Sequence, residues 1–213
     1  MSHGSLTLPA RLSLLAWDTA RPPAGGAHPA GPVRAGALVD LARRGLLTDE
    51  DGIATPADMD SRSGDAALDG LLELVHESCP HPWRTWVTLR ARVTADAVRE
   101  QLVAGGYLRA EKRRVLGVFP SVEYALERAA AVKVLREETR EALLGPLPAA
   151  GLAERDAAVA VLADAADLLG GSAGERRVEE LTERAGASVP GLERIVREVR
   201  AAVAATVPVP ASS

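Results

Sequence analysis

The stretch Ala157–Leu169 (AAVAVLADAADLL) limits what this chain can become more than any other. It lies in a helix expected over Leu152–Leu169 and is interrupted only by Asp164 and Asp167. A helix that is apolar all round has to be enclosed by other elements, so the chain must supply several amphipathic segments to surround it. Composition agrees. Of 213 residues about forty are Ala, isoleucine is nearly absent and aromatics are 3%. Such a core is built from Ala, Leu and Val, and helix is favoured over sheet. Hydrophobic residues at 47% and charged residues at 25% exclude wholesale disorder. The expected fold class is mostly α: a single-domain helical bundle with surrounding amphipathic helices and two small β-hairpins, one protruding.

Residues 6–207 are expected to form that domain, with Met1–Ser5 a start segment or appended remnant and residues 208–213 a frayed tail. A helix over Ser5–Trp17 precedes a Pro- and Gly-rich loop at Arg21–Pro32. The next helix, Val33–Arg44, leads into a hairpin of Leu46–Asp49 and Ile53–Thr55 turning at Asp51–Gly52. Asp65 caps a helix over Ala66–Glu77. A Trp-bearing helix follows at Trp83–Arg92, then one over Ala95–Gly105 capped by Thr94. A second hairpin pairs Tyr107–Ala110 with Arg114–Phe119. Helices are expected at Val122–Leu143 and Glu175–Ala185, with a final apolar stripe from Leu192 to Val203.

The net charge is −4, which argues against a whole-surface polyanion binder. Its distribution is uneven. Between Arg84 and Arg114 there are eight basic residues (Arg84, Arg90, Arg92, Arg99, Arg109, Lys112, Arg113 and Arg114) against Asp96, Glu100 and Glu111. That block of +5 can face a phosphate or an anionic bilayer, or be a solvated face with carboxylate partners. Only Lys112 and Lys133 are lysines, so 23 of the 25 basic residues are Arg, a type suited to bidentate carboxylate or phosphate contacts. The second hairpin sets Lys112, Arg113 and Arg114 beside Val115, Leu116 and Val118, a candidate membrane wedge or oligomer contact, while Phe119 is expected to pack on the core.

Other constellations carry less. His76, Cys79 and His81 in HESCPHP lack a fourth ligand at a recognised spacing, so no metal is expected. The single Cys79 fits a reducing, cytoplasmic compartment, and no run reaches the length of a membrane span. Asp65 and Asp69, at i and i+4, read as a cap and a solvent or Arg contact rather than a carboxylate pair. There is no phosphate loop, nucleotide fingerprint or nucleophile elbow, so neither enzyme activity nor a cofactor is expected. A helix followed by a basic hairpin also suits a winged-helix DNA binder, but Ala95–Gly105 exposes too few basic residues, and no nucleic acid is expected.

The order of motifs resembles the Golgi phosphoprotein 3 family, including its shorter actinobacterial members. The matching pieces are LPARLSLLAWD (8–18), VRAGALVDLARRGLL (33–47), SGDAALDGLLELV (63–75), VREQLVAGGYL (98–108), RRVLGVFPSVEY (113–124) and RDAAVAVLADAADLL (155–169). The resemblance implies a helical bundle ringed by amphipathic helices, with a protruding hairpin that falls on Tyr107–Phe119. Family members on Golgi membranes recognise phosphatidylinositol 4-phosphate in a basic pocket and help retain glycosyltransferases. Two arginines of that pocket fall on Arg34 and Arg92. The third arginine position falls on Ala95 and is missing, and the pocket tryptophan position falls near Gly25, where this chain has only Gly, Ala and Pro. The resemblance thus implies a non-enzymatic protein, cytoplasmic and peripheral on the inner face of the membrane. Its ligand would be an anionic phospholipid or phosphoinositide headgroup held by Arg34 and Arg92, and the hairpin could join copies into a homo-oligomer. The competing expectation is a soluble protein–protein adaptor that kept the fold and lost the lipid site.

Overall fold

A computed structural model describes residues 6–17, 30–115 and 119–206, the side chains of residues 112–121 and 206 excepted. Two helices lie at its centre. The first is α7 (Glu154–Ala165), which buries Ala157 to Ala163 without a break, as its sequence requires. Around it stand α1 (Leu8–Leu15), α2 (Ala30–Arg43), α6 (Ala129–Leu144), α8 (Glu175–Gly186) and α9 (Leu192–Thr206). The second is α2. It has no comparable apolar run, because Arg34 and Asp40 interrupt it, yet every residue from Pro32 to Ala42 is buried. It is packed by α1, α7 and α9, and by α3 (Ala66–Glu77), α4 (Trp83–Thr88) and α5 (Ala91–Ala104).

Buried charge at Asp40 joins α2 to the start of α1. Its carboxylate accepts the Leu8 N–H at 3.0 Å, Arg43 Nη2 at 3.0 Å and Arg44 Nε at 3.1 Å. The first bond caps α1 from outside, where the N-cap residue Thr7 makes no side-chain bond of its own. Burial pushes the Asp40 pKa up, but the Leu8, Arg44 and Arg43 bonds together outweigh it and hold the carboxyl below its ordinary value. Close approach does the rest. A Cβ on Gly36 would stand 2.6 Å from Leu12 Cδ1 and 3.1 Å from the Pro9 backbone, so α1 seats on α2 only over a glycine.

Each of α2 and α5 runs into an antiparallel hairpin. β1 (Leu47–Glu50) and β2 (Ile53–Pro56) pair Glu50 with Ile53, with Asp51 and Gly52 both at positive φ as a two-residue turn demands. β3 (Leu108–Val115) and β4 (Phe119–Leu126) pair from Leu108–Leu126 to Val115–Phe119. Eight residues per strand carry this hairpin about 25 Å at ~3.3 Å per residue, away from its seat on α5. Buried Tyr107 and Leu108 fasten its base, and the Arg128 guanidinium lies 4.8 Å over the Tyr107 ring.

Several boundaries differ from the sequence reading. Val122–Leu126 is strand, because Val122, Tyr124 and Leu126 alternate with Ser121, Glu123 and Ala125 and the backbone pairs with β3; the helix begins at Ala129. The Trp-bearing helix ends at Thr88, and α5 starts at Ala91 with Arg90 as its N-cap at φ 51°. Thr94 is therefore a buried residue inside α5 and caps nothing. α2 starts at Ala30, inside the stretch read as loop. Asp65 does cap α3, accepting the Ala67 and Leu68 N–H groups at 3.0 Å each, and Asp69 accepts from the Ser63 N–H and hydroxyl. Among the described residues no helix is long and apolar enough to cross a membrane.

Candidate functional site

The other buried charge on α2 is treated very differently from Asp40. Arg34 has no exposed surface. Its Nη2 donates to the Arg90 carbonyl at 2.6 Å, while Nε and Nη1, equally buried, have no partner among the described residues. A guanidinium offers five N–H donors and no acceptor. Burial alone lowers its pKa to about 10, below the ordinary arginine value. Keeping the charge there works against the fold. Buried charges are ordinarily paired, so this one marks either a defect or a place where a partner arrives.

Arg34 also lines a cavity of about 220 Å³ between α3 and α5. Its walls are small and apolar, with Ala66, Ala67 and Gly70 on one side and Val93 and Ala97 on the other. Thr94 lies on the α5 side, and exposed Arg90, Glu73 and Glu77 stand around the opening. The break between α4 and α5 builds one edge. Arg90 takes a left-handed conformation, which costs a non-glycine residue about 1–2 kcal/mol. Its carbonyl there accepts both Arg34 and the Val93 N–H. Opposite signs hold an anion best at Arg34, because the low dielectric of a buried site strengthens the attraction.

Arg92, the second arginine singled out from sequence, is exposed and lines a neighbouring cavity of about 420 Å³ with Ala30, Gly31, Thr88 and Ala202. Arg90 borders both cavities and is the residue that links Arg34 to Arg92. The sequence reading counted Arg90 in the basic block without giving it a place in a site. Its position depends on a helix break that neither Gly nor Pro announces. Ala95 is buried in α5, and the loop near Gly25 is outside the described residues.

The basic block divides into paired and unpaired arginines. Arg99 pairs with Asp96 at 2.9 Å and lies 4.9 Å over the Tyr124 ring, and Arg109 pairs with Glu111 and Glu127 at 2.8 and 2.6 Å. Arg84, Arg90 and Arg92 are exposed, with no ion pair among the described residues. Of the hairpin residues, Lys112, Arg113, Arg114 and Val115 have their backbone in β3. Their side chains, that of Phe119, and Leu116 and Val118 altogether, lie outside the description. In the HESCPHP segment Cys79 is exposed, and the His81 ring meets Trp86 edge-on at 5.3 Å. Among the described residues no group of three His, Cys, Asp or Glu side chains could hold a metal.

No curated protein matches the sequence. A family model does: that of Golgi phosphoprotein 3 (GPP34) matches residues 8–206, from the first residue of α1 to the last of α9. The match spans both central helices, the cavity between α3 and α5 and both hairpins, and on it the chain belongs to the Golgi phosphoprotein 3 family.

Proposed function

We propose that this protein is a non-enzymatic peripheral membrane protein that takes the phosphate of a lipid headgroup on Arg34. The observation that carries the reading is Arg34 itself, a buried cation with two unpartnered nitrogens among the described residues, on a side chain that lines the cavity between α3 and α5. A phosphate oxygen there would gain charge-assisted hydrogen bonds and relieve the penalty of a lone buried cation. Arg90 and Arg92, exposed around the start of α5, supply the positive surface that draws an anionic bilayer close. The fold's family resemblance to phosphoinositide readers supports a lipid source, with phosphatidylinositol 4-phosphate the first headgroup to try.

Co-sedimentation with phosphatidylcholine vesicles, doped in turn with phosphatidylinositol 4-phosphate, phosphatidylglycerol or phosphatidylethanolamine, tests it. The expected result is headgroup-dependent retention that falls about tenfold or more in Arg34→Met, the effect of losing one charge-assisted bond. Retention on none of the vesicles, or retention unaffected by Arg34→Met, overturns it.

A further inference from the structure

Nothing in the sequence between Trp83 and Ala104 asks for a break. The stretch holds neither Gly nor Pro, and Leu89, Arg90, Ala91 and Arg92 are all strong helix formers. Yet α4 ends at Thr88, Leu89 is extended, and Arg90 stands at φ 51° and ψ 30° before α5 begins. A left-handed arginine is disfavoured by the crowding of its own Cβ against the backbone. Something outside the segment therefore holds it there.

Leu89 packs half-buried on the core. Arg34 reaches the junction from α2, where its Nη2 donates to the Arg90 carbonyl at 2.6 Å. The same carbonyl accepts the Val93 N–H at 3.0 Å, in the first turn of α5. Arg34 is itself fixed by complete burial, and a hydrogen bond from a charged donor is worth as much as the left-handed conformation costs, or more. The break also decides what the surface presents. On one continuous helix Arg90 and Arg92 would point about 200° apart, towards opposite faces. Across the break both line the same cavity of about 420 Å³, and both are exposed.

We propose that Arg34 is a positioning residue for the exposed arginines. Through Nη2 it latches Arg90 in the left-handed conformation, and the latch sets Arg90 and Arg92 together on one cavity, where a single anion can meet both. The latch uses the paired nitrogen of Arg34 and needs no ligand, so it stands or falls apart from the phosphate reading.

The experiment follows amide hydrogen exchange at Val93, residue by residue and without ligand, in the parent, Arg34→Met, Arg90→Gly and the double variant. Glycine takes φ 51° at no steric cost, so a glycine at position 90 has no need of the latch. Arg34→Met is expected to speed exchange at Val93 at least about tenfold, the effect of losing one charge-assisted bond, while the amides of α7 keep the parent's rates. In the Arg90→Gly background the same substitution should change that rate by less than about threefold. Arg34→Gln, too short to reach the carbonyl, carries the same expectation and serves if Arg34→Met does not fold. Exchange at Val93 unchanged by the loss of Arg34 shows that the packing of Leu89 holds the break, and overturns the latch. Equal acceleration in both backgrounds shows Arg34 to be a packing support rather than a hold on a strained residue, and overturns it too. Vesicle retention indifferent to Arg34→Met, with exchange behaving as expected, would sink the phosphate reading and leave the latch standing.

Discussion

Arg34 and Asp40 are two charges on one helix, six residues apart, both with no exposed surface. Asp40 is satisfied by three donors from the chain itself, while Arg34 has one acceptor for its five N–H groups. The first is a structural charge, and on the proposed function the second waits for a ligand. Asp40→Ala should cost about 3–5 kcal/mol, the usual result of breaking a buried ionic cluster, and denaturant unfolding measures it. The sign with pH follows. Asp40's folded pKa is below its unfolded value near ~3.9, so its stabilisation is present above that pH and is lost as pH falls through the folded value. In Asp40→Asn the acid limb of the stability curve should therefore flatten, which unfolding between pH 2 and 7 would show. Arg34 itself was legible through the motif VRAGAL, but its lack of partners was not, because pairing is decided by residues distant in sequence. Arg90 was hidden for a different reason: it lies at a helix junction held by a left-handed arginine rather than by Gly or Pro.

At the scale of elements, the excess of arginine over lysine finds a physical use. Arg136 donates to the carbonyls of Leu15 and Trp17 at the end of α1 and to Leu168 just beyond α7. Arg140 donates to the Leu169 carbonyl, Arg177 to Ala142 and Leu143 at the end of α6, and Arg184 to Leu152. A planar fork can reach several unpaired helix-end carbonyls at once, where a lysine offers a point charge. Arg136→Met should destabilise by about 1–3 kcal/mol, the cost of unsatisfied buried acceptors, lowering Tm by several degrees. The approach to α9 is a second pressure point. Gly191 has φ 77°, and a Cβ there would come within 2.7 Å of the buried Trp83 ring, whose Nε1 donates to Asp49. Gly191→Ala is expected to unfold at a lower temperature and to shift Trp fluorescence. Element limits were readable where a cap or turn residue marks them, as at Asp65 and Asp51–Gly52. They were not where pairing overrides pattern, and Val122–Leu126 becomes strand because β3 lies beside it.

For the whole molecule, the apolar run of α7 correctly called for an enclosing bundle. It understated the answer, since α2 is enclosed as well despite its two charges. The −4 of the chain likewise conceals an uneven surface, from which Arg99 and Arg109 are withdrawn by internal partners and Arg84, Arg90 and Arg92 are not. On the proposed function, a bundle built around a helix with one unsatisfied cation gives up stability at the place where the ligand would bind, a common trade at functional sites. Thermal unfolding of the parent and of Arg34→Met, with and without inorganic phosphate, tests that claim most directly. An apolar side chain of similar length removes the unpaired charge, and the Arg90 carbonyl keeps the Val93 N–H. The variant should therefore melt at the parent's temperature or a few degrees above it, and phosphate should raise only the parent's Tm. A variant that melts several degrees lower, with the phosphate response intact, would show Arg34 to be structural and contradict the account.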